Sequence, residues 1–345
     1  MRVLLSGVTG QVGAYMADFL LKKGYKVFAT FRRASSPNFW RIMTFGIEDK
    51  IELIPADLTD ITSLIEAIKT SDPDEIYNFA ASSYVADSFE CPLANIDITG
   101  NAVMRFLEAT RIVNKDIKFF QMSSSEQYGN SKDFPLNENS PMNPVSPYGI
   151  AKLMGHHAIN TYRQSYGMFT VAGIIFNTES PLRGLDFVTR KITNAVAKIK
   201  LGLQDELVLG NVYAIRDWGL VSEYIEGIAK MMELDEPQDF VLATGESATV
   251  LKFAHMATQH VGLDESVIKT DKKYSRPIDI NKLQGDYTKA NTLLDWAPKT
   301  KFNDLVKLMV DADLKRWQDY LDGKHFPWDA YLYPNEAKVL RRINN

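Results

Sequence analysis

Four residues in the first half of the chain have the types and spacing for proton chemistry beside a redox centre. The segment "IKFFQMSSSEQYG" ends an apolar run in three serines and places Glu126 two residues after Ser124. In a parallel α/β sheet, ligands bind at the carboxyl ends of the strands. A carboxylate there either caps a turn or abstracts a proton. Further on, "SPYGIAK" sets Tyr148 and Lys152 four apart, on one face of a helix opening after "NPVSP". A free tyrosine, with a pKa near 10, is a poor base at neutral pH. A neighbouring ammonium and an oxidised nicotinamide both favour the phenolate, and a shift of about three units represents roughly 4 kcal/mol. Tyr-x-x-x-Lys spacing is common by chance. Its weight comes from following the serine–glutamate stretch in a chain that opens on a glycine turn.

That turn is "GVTGQVG", which puts Gly7, Gly10 and Gly13 between an apolar run and an amphipathic stretch. Without a Cβ, these residues let the backbone turn tightly, approach a pyrophosphate and pack helix against strand. The helix N-terminus then offers N–H donors and positive dipole to phosphates. The next run, "YKVFATF", is followed by Arg32 and Arg33, where an acid would bond the ribose 2′-hydroxyl of NAD. Arginine invites a 2′-phosphate through a charge-assisted contact, which reads as NADP; the plainer reading is a solvated loop.

Such residues need a frame. The runs "RVLL", "YKVFATF", "IELIPA", "EIYNFA", "IKFFQM" and "FTVAGIIF" alternate with longer helix-period stretches, the signature of βαβ units around a parallel sheet. The expected fold class is α/β, a Rossmann-type doubly wound parallel sheet with a smaller α/β substrate-binding lobe. In the first helix Val12, Met16, Phe19 and Leu20 share a face, and Lys22, Lys23 and Gly24 end it. After Phe176 the rhythm loosens into prolines, an Arg-rich loop and longer helices. The expected division is a dinucleotide lobe at 1–176 and a substrate lobe at 177–345, with the lobes interleaved.

The chain has 345 residues, 45% of them hydrophobic, and a net charge of −4, enough to build two lobes and without a basic run for nucleic acid. The single cysteine, Cys91, excludes an internal disulfide and weighs against a zinc cluster, so no metal is expected. No apolar stretch approaches the roughly 18 residues of a membrane span. The opening "MRVLLSGVTG" lacks the apolar region and cleavage site of a signal peptide, and the expectation is a soluble cytoplasmic enzyme. The closing "HFPWDAYLYPNEAKVLRRINN" reads as a segment packed on the body or on a neighbouring subunit.

Taken together, the motifs resemble an extended short-chain dehydrogenase/reductase acting on a nucleotide sugar, and most closely the GDP-mannose 4,6-dehydratases. The stretches that carry the resemblance are "GVTGQVG", "RRASS", "PDEIYNFAA", "SSSEQYG", "SPYGIAK", "FNTESPLRG", "FVTRKIT", "LGNVYAIRDWG", "DFVLATG", "RPIDI" and "LLDWAPK". They cover most of the chain and leave the tail unmatched. The glycine turn and Tyr-x-x-x-Lys are shared across the wider superfamily, whereas "RRASS" and the stretch from "SPLRG" to "FVTRKIT" are far more specific.

The resemblance implies catalytic roles for Ser124, Glu126, Tyr148 and Lys152. Around the cofactor it adds Thr9, Gln11 and Val12 to the three glycines and Arg32. Asp57 and Leu58 fall on the adenine side; Ala80, Ala81 and Ser83 line the cofactor, joined by Tyr148, Lys152 and Arg183. Toward the substrate it implies Ser83, Ser124, Glu126, Tyr148, Asn177 and Val188. Lys191, Leu209, Gly210, Arg216, Arg276 and Asp279 complete that set, in which cationic and amide groups suit a nucleotide diphosphate. NADP, GDP-mannose and a homotetramer are implied with them, since in relatives the loop after "RRASS" crosses to a neighbouring subunit.

Proton removal from C5 of a hexose is hard while C4 bears a hydroxyl; a C4 ketone lets the carbanion delocalise as an enolate. Tyr148 takes the C4 hydroxyl proton, Glu126 takes the C5 proton and assists loss of the C6 hydroxyl, and Ser124 steadies the C4 oxygen. Ser124 stands where the family more often has threonine, Val12 replaces an acid, and Thr178 replaces a histidine that reaches the cofactor. The continuation "PNFWRIM" is more apolar than the family norm. A reductase or epimerase of 4-keto-6-deoxy nucleotide sugars shares the fold, the Tyr–Lys pair and sometimes a similar serine–glutamate stretch, and redox stoichiometry separates them. A silent binding protein on the same scaffold would not need all four catalytic residues.

Overall fold

Seven apolar runs pair into one parallel sheet: β1 (Arg2–Ser6), β2 (Lys26–Phe31), β3 (Glu52–Pro55), β4 (Glu75–Asn78), β5 (Lys118–Ser124), β6 (Thr170–Ile175) and β7 (Phe240–Leu242). In this computed structural model, residues 1–34, 38–274 and 276–328 are described. The strand order is β7-β6-β5-β4-β1-β2-β3, so the chain reverses direction across the sheet between β1 and β4. The carboxyl ends on either side of that reversal form the crevice where α/β sheets bind ligands. Strands β1 to β6 occupy the six runs read from the sequence. The seventh comes from beyond residue 176 and extends the same sheet, with Phe240 registered on Gly173.

The strands read as nearly continuous apolar runs because helices cover both faces. Alternation sends Val3, Leu5, Ala29 and Phe120 to one face, against Ala14, Met16 and Leu20 of α1 (Gln11–Lys22). Leu4, Phe28, Ile76 and Phe119 point to the other. There they meet Leu64 and Ile68 of the Ile61–Ser71 helix, Phe106 of the Ala102–Val113 helix and Ile159 of the Pro147–Tyr166 helix. Val12, Met16 and Leu20 are buried on α1 and Phe19 packs beside them, and Gly24 closes the following turn at φ +82°.

A second apolar core lies in the later half. It joins Ile192 and Val196 of the Val188–Lys200 helix to Phe253 of the Val250–His260 helix and to Val306 and Met309 of the Phe302–Leu321 helix. Trp218 stacks on Phe302 and meets Phe253 edge-on. The short strand Asn177–Glu179 runs on from β6 and pairs in parallel with Trp218–Leu220, bringing the second core up to the carboxyl edge of the sheet. No described helix is long and apolar enough to cross a membrane. Ser35, Ser36 and Pro37, within the loop expected to cross to a neighbour, and residues 329–345 of the tail lie outside the described residues.

Candidate active site

Two glycines fix the shape of the turn after β1. Gly7 has φ +75°, and a Cβ there would sit 2.8 Å from the Ala80 amide nitrogen. A Cβ on Gly13 would sit 2.3 Å from the Gly7 carbonyl oxygen, which is how α1 packs so close to the strand. Gly10 precedes α1 directly and leaves its N-terminus open. This bare cradle fits the pyrophosphate of a nicotinamide dinucleotide. It opens on a cavity of about 1220 Å³ that runs the length of the carboxyl edge.

Thr9, Gln11 and Val12 line the cavity with the three glycines, Arg32 at its exposed rim. Val12 is 8% exposed and also belongs to the apolar core, so its apolar side chain is satisfied by packing. Asp57 and Leu58 follow β3, and Ala80, Ala81 and Ser83 follow β4, all on the same wall. Gln11 is buried, donates to the Thr178 carbonyl at 2.8 Å and accepts from the Ser180 hydroxyl at 2.7 Å. Thr178 is thus gripped through its backbone.

At the end of β5 the chain enters a tight helical turn, Ser125–Tyr128. The Ser124 hydroxyl caps it by accepting from the Glu126 amide at 3.2 Å. The Pro147–Tyr166 helix starts beside it, with the Ser146 hydroxyl accepting from the Gly149 amide at 3.0 Å and Pro147 in the first turn. Its first turns bring Tyr148 and Lys152 to the same wall as Ser124 and Glu126, and all four are buried.

Burial raises the Tyr148 pKa above its ordinary 10.0; hydrogen bonding from Ser124 opposes the rise, the Glu126 charge adds to it, and Arg183 opposes it. The sequence reading has a neighbouring ammonium favouring the phenolate, but in the chain itself desolvation wins. Lys152 donates to the Met122 carbonyl at 2.8 Å and lies 5.7 Å from the Tyr148 ring centroid. Burial brings the Lys152 pKa down to about 8.

The residues expected toward the substrate line the same cavity. Asn177 follows β6, and its buried Oδ1 has no hydrogen-bond partner among the described residues. Such an atom in a cavity wall is an acceptor reserved for a ligand or solvent. Val188 and Lys191 begin their helix, and the Lys191 ammonium lies 3.9 Å from the Tyr274 ring centroid. Leu209 and Gly210 follow the Leu207–Leu209 strand. Asp279 gathers two cations: Arg216 donates to it at 2.9 Å, and Arg276 lies 3.6 Å away.

Arg41, Glu179 and Lys273 are among the cavity residues that escape the sequence reading. Arg41 lies in "PNFWRIM", read only as an apolar loop. Glu179, 1% exposed, accepts from the Thr189 hydroxyl at 2.5 Å with Arg183 Nε at 3.4 Å, and burial raises its pKa. Lys273 sits beside Tyr274. Among the described residues no group of three His, Cys, Asp or Glu side chains is arranged to hold a metal.

A glycine cradle on a parallel sheet, with Tyr-x-x-x-Lys on the Pro147–Tyr166 helix and a serine–glutamate turn after β5, defines an extended short-chain dehydrogenase/reductase. The family model for GDP-mannose 4,6 dehydratase matches residues 4–309. GDP-mannose 4,6 dehydratase 1 of Arabidopsis thaliana is 42% identical over 323 residues, covering 90% of this chain and 89% of that protein. The human GDP-mannose 4,6 dehydratase is 41% identical over 339 residues, covering 90% and 91%. A crystal structure of dTDP-glucose 4,6-dehydratase from Bacillus anthracis in complex with NAD shares the fold, with a TM-score of 0.81 at 19% identity over 94% of this chain and 100% of that one. The chain belongs to the GDP-mannose 4,6-dehydratase family.

Proposed function

We propose that the chain is a nucleotide-sugar 4,6-dehydratase, a hydro-lyase that converts GDP-mannose to GDP-4-keto-6-deoxy-mannose. The observation that carries this reading is the meeting of Ser124, Glu126, Tyr148 and Lys152 on one wall of the cavity that the glycine cradle opens into. A plain reductase needs the tyrosine and lysine; elimination of water needs the carboxylate as well.

NADP, when bound, would supply the hydride acceptor for C4 and the hydride donor for C6, with no net consumption of nicotinamide. Gly7, Gly10 and Gly13, with Thr9, Gln11 and Val12, hold its diphosphate, and Arg32 selects the 2′-phosphate. Asp57 and Leu58 border the adenine, while Ala80, Ala81, Ser83 and Arg183 line the rest. Tyr148 takes the C4 hydroxyl proton. Burial disfavours its phenolate, so it serves as a base only with positive charge brought to it, from the Lys152 ammonium and the oxidised nicotinamide. Glu126 then takes the C5 proton and delivers it to the departing C6 hydroxyl, which leaves as water, and the proton that Tyr148 took from the C4 hydroxyl returns to C5 as C6 is reduced. Ser124 hydrogen-bonds the C4 oxygen and stabilises the enolate between these steps.

Asn177 Oδ1, Lys191, Arg216 and Arg276 hold the GDP moiety, with Val188, Leu209, Gly210 and Asp279 shaping its pocket. Residues 1–176 carry chiefly the dinucleotide and 177–345 chiefly the sugar nucleotide, interleaved through β7. The working assembly is a cytoplasmic homotetramer, a reading that rests on the family's use of the loop after Arg33.

Incubation with a panel of nucleotide sugars and NADP, followed by product mass, tests the reading. It requires loss of one water from GDP-mannose with no net NADPH consumed; a product formed only at the expense of NADPH would make the chain a reductase. Within the same experiment Arg32→Ala should weaken NADP by roughly 1.5–3 kcal/mol and leave NAD nearly unchanged.

A further inference from the structure

Three arginines, Arg190, Arg316 and Arg41, donate to carbonyls of the loop at 181–183, and the first two share a counterion. Arg190, fully buried, donates to the carbonyls of Pro181 and Arg183, and its charge is answered by a fork onto Asp313 at 3.0 and 2.9 Å. Arg316 reaches Pro181 as well and shares Asp313. Arg183 has Glu179. Arg41 donates from Nε to the Leu182 carbonyl at 2.9 Å and from Nη1 to the Thr9 carbonyl at 2.8 Å. It stacks on Trp40, 4.3 Å from the ring centroid, yet no carboxylate among the described residues pairs with it.

A half-buried guanidinium among other arginines is unfavourable without an anion. Burial, then the charges of Arg190 and Arg183, bring its pKa down to about 10. It also lines the main cavity, beside the glycine cradle whose Thr9 carbonyl it holds. A ligand seated on the turn at 7–13 would supply that counterion.

We infer that Arg41 is a positioning residue whose charge is answered by a diphosphate seated on the glycine turn, and through which dinucleotide binding sets the loop at 180–183 that leads to Val188 and Lys191. This rests on the dinucleotide reading given above. One guanidinium spans from Thr9 on the glycine turn to Leu182 in the loop ahead of the Val188–Lys200 helix, and Gln11 makes a parallel tie to Thr178 and Ser180. Ligand-induced order at one end is then shared with the other, and the coupling is reciprocal. A diphosphate is common to the dinucleotide and the sugar nucleotide; the contact with Thr9 favours the former.

The test compares Arg41→Met, Arg41→Gln and Arg41→Lys with the wild-type chain. NADPH and NADH binding is followed by nicotinamide fluorescence, and GDP binding by calorimetry with and without NADPH. In the wild type, NADPH should tighten GDP by about fivefold or more. Arg41→Met and Arg41→Gln should weaken NADPH and NADH alike, by about tenfold or more, and bring that coupling close to one. Arg41→Lys, which keeps the charge, should recover most of the dinucleotide affinity. Should Arg41→Met fail to fold by thermal melt, the Gln and Lys pair still decides, since affinity must follow charge. Wild-type dinucleotide affinity in the Gln variant, loss of NADPH binding alone, loss of GDP binding alone, or unchanged coupling each overturns the inference. A wild-type chain that binds neither dinucleotide overturns the cofactor reading itself.

Discussion

The Ser124 hydroxyl accepts the Glu126 amide at 3.2 Å while its hydrogen bonding also opposes the rise in the Tyr148 pKa. One side chain therefore sets the turn that carries the carboxylate and touches the phenol proposed to lose a proton. Threonine offers the same oxygen, so Ser124→Thr should keep kcat within several-fold. Ser124→Ala removes cap and donor together, and kcat should fall by about 10²-fold, as for loss of one donor to a developing oxyanion. Steady-state rates with GDP-mannose decide; an alanine variant as active as threonine would leave Ser124 with no part in the reaction.

Lys152 gives a pH signature. Burial depresses its pKa from 10.5 to about 8, so the ammonium that supports Tyr148 is present below that value and lost above it. kcat/KM should decline as pH rises through about 8. The same shift has a stability counterpart of fixed sign. The unfolded chain holds this proton to higher pH, so the cost of the buried ammonium is full below about 8 and fades toward 10.5. A kcat/KM profile flat across this range contradicts the role.

The Arg190–Asp313 pair stabilises the loop from behind. Both side chains are buried, and Thr193 and Arg316 complete the hydrogen bonds of Asp313. Asp313→Ala strands a buried guanidinium and should cost about 3–5 kcal/mol in chemical denaturation. The double variant Arg190→Met, Asp313→Leu should recover most of that loss, because it buries neither charge. A single variant within about 1 kcal/mol of wild type would mean that solvent reaches Arg190.

Much of this molecule is readable before folding, and the reasons it is not all readable are physical. Strands β1 to β6 stand in the sequence as β-branched or aromatic runs because a sheet covered on both faces needs apolar residues on both. Strand β7, Phe240–Leu242, has only three residues and gains its identity from pairing with Gly173, Ile174 and Ile175. The positions of Ser124, Glu126, Tyr148 and Lys152 are legible because spacing along one turn and one helix sets them locally. Arg41 is not, since its partners are carbonyls 32 and 141 residues away and carbonyls leave no mark on composition. Likewise the direction of the Tyr148 shift depends on burial, which only the packed structure reveals.

Glu126→Gln keeps the size and hydrogen bonding of the side chain but removes its basicity. Bound to GDP-mannose and NADP, this variant should transfer the first hydride and then stall before water is lost. Enzyme-bound reduced nicotinamide should accumulate, seen by its absorbance, while the 4-keto-6-deoxy product forms about 10²- to 10⁴-fold more slowly. Tyr148→Phe should do the opposite, forming little reduced nicotinamide. If Glu126→Gln makes product at close to the wild-type rate, Glu126 is a structural residue and the assignment of elimination to it is wrong.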